Sequence, residues 1–541
     1  MPNRSTLEEY EREESTRPPY LLTKTELKLL GIAGVGFFLD AYDLFIINPV
    51  ATMLQFRLYE GGKLPPDLEG FVKAGANIGS VIGQFAFGYM ADALGRKAIY
   101  GKELMLIIFA TIMSITTPTG ALSPESSLIY LAIWRIVLGV GVGGDYPMSA
   151  SVTSDRSNLR KRGTMLSYIF SNQGWGSFVG SIVFLVVLAC YKSKMGDGTS
   201  GLDGVWRIVV GLSLVPAFGT LYQRLTLRES SRFIKARQDA IEDQEDDIDK
   251  LKRQQRASEE AAEKDSQKTP ESTTTTSNPE EPEEVVKQKA HLRGTPILSL
   301  PSPLLTPTSE FLHYFSKWEH AKLLIGTCMC WFLLDIAFYG INLNQNVVLQ
   351  EIGFDGADGT PYERLIKIGT GNIIITALGF VPGYYVTVFT IEKLGRKWIQ
   401  IQGFLLAALF LGILAGNFDR LSSAGFIVCF AFLQFFFNFG ANTTTYCYPA
   451  EVFPTRFRAF AHGASAAAGK AGAIISALAF NKLKDDIGTP AVLWIFFGCC
   501  IAGAGFTLLL PEVKGRDPDI ILAEELKAER EARRAQQTST S

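Results

Sequence analysis

Seven ionisable side chains lie inside strongly apolar stretches of this sequence: Asp40, Asp43, Glu103, Arg135, Asp145, Asp335 and Lys470. At bilayer depth each costs at least about 2.5–3.5 kcal/mol, so each needs a partner, a proton or a ligand. Trp331, Asp335 and Tyr339 recur at i, i+4 and i+8 and share one helix face, which offers an indole, a carboxylate and a phenol. Lys470 is flanked by Ala466, Ala467, Ala468, Gly469 and Gly472, small residues that leave room around its ammonium, and it is the best available partner for Asp335. A salt bridge that only joins two helices is one reading of such a pair. The other is an anion site. A lone ammonium attracts an oxyanion of phosphate size, and neutral donors complete its shell. Tyr146, Gln173 and Asn442 are the candidates for that shell. Like charge disfavours a carboxylate beside a bound anion. An arriving anion therefore draws a proton onto Asp335, and the neutral acid can then donate a hydrogen bond.

These groups need apolar elements to hold them. The chain has 541 residues, 47% hydrophobic and 20% charged, which taken alone fits a soluble protein. The charge is unevenly placed, however. Residues 1–28, 228–317 and 511–541 carry 56 of the 106 charges, and the other 392 residues hold only 50. Two charge-poor blocks remain. A spanning helix needs about 20 largely apolar residues. Twelve candidates occur at 28–54, 69–91, 97–117, 127–152, 163–190, 205–224, 319–347, 364–391, 397–416, 421–449, 459–483 and 490–510. The expected fold is an all-α polytopic membrane protein of twelve helices in two six-helix halves, with a midplane site. Its parts are a tail over 1–27, a first half over 28–228, a linker over 229–318, a second half over 319–510 and a tail over 511–541.

Lys and Arg crowd the loops after the second, fourth, eighth and tenth spans, as in Arg156, Arg160, Lys161 and Arg162. The positive-inside bias then puts those loops, both termini and the linker in the cytoplasm. The two blocks read as copies. Asp92-Ala-Leu-Gly-Arg-Lys97 returns 300 residues later as Glu392-Lys-Leu-Gly-Arg-Lys397, and Tyr146-Pro147 has a counterpart in Tyr448-Pro449. Gln173 and Lys470 are near-equivalent positions, 297 residues apart. A parallel six-plus-six repeat places the substrate between the halves. Residues 236–305 include Glu242–Asp247, Thr273–Thr276 and Glu280–Glu284, and cannot bury a core; a disordered tether is expected there, with phosphorylation as a possible control.

Several motifs do not carry their usual chemistry. Gly139-Val-Gly-Val-Gly-Gly144 looks like a dinucleotide loop but lies within an apolar helix, where it serves packing. Gly463–Lys470 looks like a phosphate loop, but its spacing is one residue too long and Ala471 stands where a magnesium-binding hydroxyl belongs. His291, His313, His320 and His462 have no metal-ligand spacing, and the seven cysteines match no zinc or redox pattern. The net charge of −2 gives no reason to expect a nucleic-acid partner. No metal, nucleotide or other cofactor, and no covalent chemistry, is expected. The polar N-terminus has no cleavable signal pattern. Glu103 and Arg135 are read as a structural ion pair. Asp92, Arg96 and Lys97 and their copies Glu392, Arg396 and Lys397 are read as conformational latches.

The chain resembles the major facilitator superfamily, and within it the proton-coupled phosphate symporters of fungi and plants. The resemblance rests on Gly143-Gly-Asp-Tyr-Pro-Met-Ser-Ala150, on Asp92–Lys97 with its copy Glu392–Lys397, on Trp331–Tyr339, and on Pro449-Ala-Glu-Val-Phe-Pro-Thr-Arg456. One motif departs: Arg228-Glu-Ser-Ser-Arg232 lacks the two prolines many relatives have there. The resemblance implies that Tyr146, Gln173, Trp331, Asp335, Tyr339, Asn442 and Lys470 line a phosphate site, that Asp40 or Asp43 lies with Asp145 on a proton path, and that the plasma membrane is the location. Two alternatives stay open. A proton-coupled sugar porter would favour amides and hydroxyls and leave Lys470 without a purpose. A phosphate sensor would signal through the linker.

Overall fold

The computed structural model describes residues 18–239 except 61, 63 and 196–198, residues 307–540 except 352, 353 and 355–358, and the isolated positions 241, 252, 253 and 256. Most of the expected tether, including its acidic and threonine runs, lies outside the described residues. Residues 1–233 and 315–541 form one compact unit and residues 234–314 a second. Among the described residues the regular structure is helical throughout.

Among the described residues eleven helices are long and apolar enough to cross a membrane: α1 (Lys24–Leu58), α3 (Arg96–Ile115), α4 (Pro124–Arg156), α5 (Leu159–Cys190), α6 (Gly201–Leu225), α7 (Trp318–Asn342), α8 (Pro361–Leu394), α9 (Arg396–Gly416), α10 (Ser423–Val452), α11 (Arg458–Ile487) and α12 (Thr489–Thr507). The twelfth, α2 (Pro66–Leu94), has 29 residues but is less apolar, because Asp67, Glu69, Lys73, Asn77, Gln84 and Asp92 all belong to it. Several of these polar groups are buried between helices, Lys73, Asn77 and Gln84 each at 2% exposure or less. Hydropathy alone therefore undercounts a helix that packs on protein rather than lipid.

Helix starts follow the local sequence. Thr23 with Glu26, and Thr360 with Glu363, form reciprocal caps in which each side chain satisfies a free N–H of the first turn. Prolines accompany three of the four breaks, because each removes one N–H from the helical ladder. α1 is interrupted at Ile46, where Phe45 loses the N–H that Pro49 lacks. α6 is interrupted at Leu212–Ser213 ahead of Pro216, and α8 widens into a π turn at Thr376–Phe380 ahead of Pro382. α10 is interrupted at Phe439–Gly440, with Gly440 extended at φ 175°. Gly95 and Gly395, 300 residues apart, end α2 and α8 with φ of +98° and +84°, a conformation reserved for glycine.

The run Gly139–Gly144 is the seam between α4 and α2. A Cβ at Gly139 would lie 2.0 Å from the Ala76 carbonyl, and one at Gly143 2.2 Å from that of Ser80. Close approach of backbones replaces the hydrophobic drive that lipid cannot supply. Gly139→Val is therefore expected to cost more than the 1–3 kcal/mol or so of ordinary overpacking, since main chain must move. A fall in melting temperature and in monodisperse yield on size exclusion checks this; an unchanged Tm would show that the seam yields.

The C-terminal helix Pro518–Thr540 is pinned at its start. Asp519 accepts hydrogen bonds from the Thr455 N–H and hydroxyl, both at 2.6 Å, and faces Arg458 at 3.7 Å. Burial opposes ionisation of Asp519, but Arg458 and the Thr455 bonds outweigh it and hold the carboxyl below its usual range. A depressed folded pKa stabilises docking above the unfolded value of about 3.9 and loses that contribution as pH falls through the folded value. Protection of residues 518–525 from hydrogen exchange should thus stay constant from neutral pH to about 5 and drop in more acid buffer, and Asp519→Asn should remove the pH dependence.

Candidate substrate-binding site

The stripe on α7 meets Lys470 on α11. Lys470 Nζ donates to Tyr339 Oη at 2.6 Å and to Asp335 Oδ2 at 3.3 Å. It also lies 4.0 Å from the Tyr339 ring centre and 5.1 Å from that of Tyr146. All four residues are buried, Lys470 and Asp335 at 1% exposure. An ammonium has three N–H groups, so one is left after Asp335 and Tyr339. Around it runs a chain of neutral groups. Gln173 Nε2 donates to Tyr146 Oη at 2.7 Å, Tyr384 Oη to Gln173 Oε1 at 3.2 Å, and Asn442 Nδ2 to Tyr384 Oη at 2.8 Å. Trp331 stands beside Tyr146 with ring centres 6.2 Å apart, and closes the other flank against His462. The seven residues expected from sequence thus form one connected group from α4, α5, α7, α10 and α11. Tyr384 on α8 was missed, yet it bridges Gln173 to Asn442. Its signal was weak: one phenol among several aromatics on α8, with no charge nearby in sequence.

Asp40 is fully buried near this group, and neither carboxylate oxygen has a hydrogen-bond partner among the described residues. Asp43, one turn on, lies beside Arg135, whose guanidinium donates to the Asp43 main-chain oxygen at 3.2 Å and to the Val72 carbonyl at 3.0 Å.

The expected Glu103–Arg135 pair does not form. Glu103 packs against Gly144 of α4, nine residues or about 13 Å further along the helix than Arg135. Its partner is Arg224, at the end of α6, at 3.2 Å. Arg224 also grips Asp145 with two bonds of 3.0 Å, and Ser149 donates to Asp145 at 2.6 Å. In the sequence Arg224 stands at the end of an apolar stretch and is not among the expected buried charges. In the fold it is 1% exposed and neutralises two acids. Asp145 accordingly sits in this cluster rather than against Lys470.

The residues expected as latches join the first six helices to the last six. Asp92 on α2 accepts from the Ala459 and Phe460 N–H groups at the start of α11, at 3.3 and 2.8 Å. Glu392 on α8 accepts from the Thr164 N–H near the start of α5 at 3.0 Å. Each copy of the motif thus caps a helix of the other half. Arg96 lies 3.4 Å from both Asp92 and Asp155, and Arg458 also pairs with Asp155. Arg396 binds Glu451 twice at 2.7 Å and Glu392 at 2.8 Å. The Lys97 and Lys397 main-chain N–H groups, each at 3.0 Å, donate to Glu229 and Glu512.

The chain matches the family model described as sugar (and other) transporter over residues 29–293 and 347–521. It is 37% identical to the inorganic phosphate transporter PHO84 of Saccharomyces cerevisiae over 90% of this chain and 83% of the relative. It is 36% identical to the repressible high-affinity phosphate permease of Neurospora crassa over 94% and 88%. The chain belongs to the inorganic phosphate transporters of the major facilitator superfamily. Among solved structures, the proton:xylose symporter XylE superposes with a TM-score of 0.66 at 18% identity, covering 92% of this chain and 98% of that one; the likeness is one of fold.

Removing Arg224 would strand two buried carboxylates, at about 3–5 kcal/mol. Arg224→Met should therefore abolish folded protein, while the triple change Arg224→Met, Glu103→Gln, Asp145→Asn should recover it. Fluorescence-detected size exclusion reads both, and equal yields of the single and triple variants would show that the cluster is not the reason.

Proposed function

We propose that this chain imports inorganic phosphate together with protons by alternating access, and that it is a transporter rather than an enzyme. The observation that carries the reading is the Lys470 ammonium, buried against Asp335 and Tyr339 with one N–H unspent and neutral polar groups around it. A neutral sugar would give that charge no task. The relatives named phosphate transporter and phosphate permease point the same way. Phosphate takes the free N–H of Lys470, and Tyr146, Gln173, Trp331, Tyr339 and Asn442, joined by Tyr384, orient its oxygens. Asp335 stands beside the anion and takes the coupled proton, because two negative charges at that distance disfavour each other in a dry site. Asp40, unpaired and buried, relays protons toward it, with Asp43 and Asp145 as the further carboxyl groups of the path.

Residues 28–228 and 319–510 act as the two rocking halves. Asp92, Arg96, Lys97, Glu392, Arg396 and Lys397 are their latches, closed here. The Lys and Arg bias of the loops supports a cytoplasmic position for this end, for both termini and for the linker, and the resemblance to the fungal and plant phosphate symporters supports the plasma membrane as the location.

In proteoliposomes with an imposed inward proton gradient, labelled phosphate should accumulate and labelled glucose should not. Glucose uptake, or phosphate uptake indifferent to the gradient, refutes the symport reading. Lys470→Ala should abolish phosphate binding in titration calorimetry without a matching loss of Tm, and retained binding would make Lys470 a structural residue. Asp335→Asn should bind phosphate yet lose gradient-driven accumulation.

A further inference from the structure

A cavity of about 20 Å³, open on one side, lies one helical turn beyond the Lys470 site, away from the Arg96 and Arg396 clusters. Phe45 forms its floor and stacks on Tyr339 with ring centres 6.1 Å apart. No charged side chain lines it. Its polar atoms have a fixed sense. Asn48 Nδ2 donates to the Asn342 carbonyl at 2.7 Å, which leaves Asn48 Oδ1 as a free acceptor. The Thr52 hydroxyl donates to the Asn48 carbonyl at 3.1 Å, so it can only accept from Asn346 Nδ2, also at 3.1 Å. Asn346 must then present Oδ1 to Asn372 Nδ2, at 3.0 Å. This arrangement keeps every bond of the chain, and it leaves Asn372 Oδ1 without a donor. Asn48 is 6% exposed and Asn372 9%. The wall therefore holds two buried carbonyl acceptors, each lacking a hydrogen, and no cation.

A buried acceptor without a donor keeps its full desolvation penalty and calls for a ligand with an O–H. A fully ionised oxyanion brings only more acceptors. Phosphate near neutral pH keeps one or two O–H groups, whereas sulfate, of the same shape, keeps none. A site built to receive a hydrogen from its ligand rejects an isostere that lacks it far more strongly than a pocket of matching size does.

We propose that this chamber is a selectivity subsite on the path to Lys470, where Asn48 Oδ1 and Asn372 Oδ1 accept P–O–H hydrogens, passing protonated phosphate and turning away sulfate. The proposal rests on the phosphate-transport reading and adds to it the filter for which Lys470, a plain cation, is unsuited. With Asn48 bonded to Asn342 the chamber has room for little more than water. Parting α1 from α7 at that bond widens it.

The test is uptake of labelled inorganic phosphate into proteoliposomes of the full chain, with sulfate as competitor. Wild type should ignore tenfold excess sulfate. Asn372→Leu and Asn48→Leu should each raise the phosphate KM about tenfold and let sulfate compete. Ser177→Leu, on the pocket wall, fills the chamber by another route and should raise KM as well. A merely structural role for the asparagines would lower the amount of active protein without altering the phosphate-to-sulfate preference, and that result overturns the proposal. Unchanged KM in Ser177→Leu overturns it too, whatever the asparagine variants do. Wild-type protein that takes up no phosphate at all would instead sink the transport reading.

Discussion

A positive charge in a dry place organises this molecule. Lys470 lies mid-helix in α11, and an ammonium there is tolerable only because α7 brings Asp335 and Tyr339 to it. That demand fixes the register of α7 against α11, and through Tyr146, Gln173, Tyr384 and Asn442 it reaches α4, α5, α8 and α10. The neutral groups cannot cancel the charge. They can only be arranged around it, and the N–H left after Asp335 and Tyr339 is what the proposed anion would take. An all-hydrophobic bundle would be simpler to fold but would have nothing to bind with.

The second organising fact is duplication. Both copies of the Leu-Gly-Arg-Lys segment end a helix on a positive-φ glycine, and both send an acid to free N–H groups at the start of a helix in the other half. The copies have also diverged. Gln173 in the first half and Lys470 in the second stand at near-equivalent positions of the sequence repeat, so the repeat carries unlike side chains there. In the first copy Asp155 is shared by Arg96 and Arg458, whereas in the second Arg396 holds Glu451 by two short bonds.

Much of this was legible in the sequence, and the residues show why. Trp331, Asp335 and Tyr339 lie within one helix, so their shared face follows from helical period alone. The glycine run at 139–144 was readable as packing because no strand precedes it. Partnerships between helices were harder. The assignment of Glu103 to Arg135 failed because span positions say which layer a charge occupies only to within a few turns, and those turns separate the two. Arg224 was passed over for a related reason: an arginine at the edge of an apolar stretch looks like a group bound for the headgroups, and only the packing of α6 against α1 and α3 turns it inward. α2 shows the limit of hydropathy, since a helix covered by protein is free to be polar. The free amide oxygens of Asn48 and Asn372 could not be read at all, because they are defined by where the hydrogens of Asn48, Thr52, Asn346 and Asn372 are spent.

The reciprocal caps bear on how such a protein changes over time. The carboxylate in each half, besides pairing with the arginine of its own motif, caps N–H groups that belong to the other half. The halves are thus heirs to a joint estate. A chimera that takes its first six helices from one ancestor and its last six from another puts both caps at risk together, because each must now fit a helix start it did not evolve with. Duplication made the two halves alike, and this crossed ownership keeps them from parting.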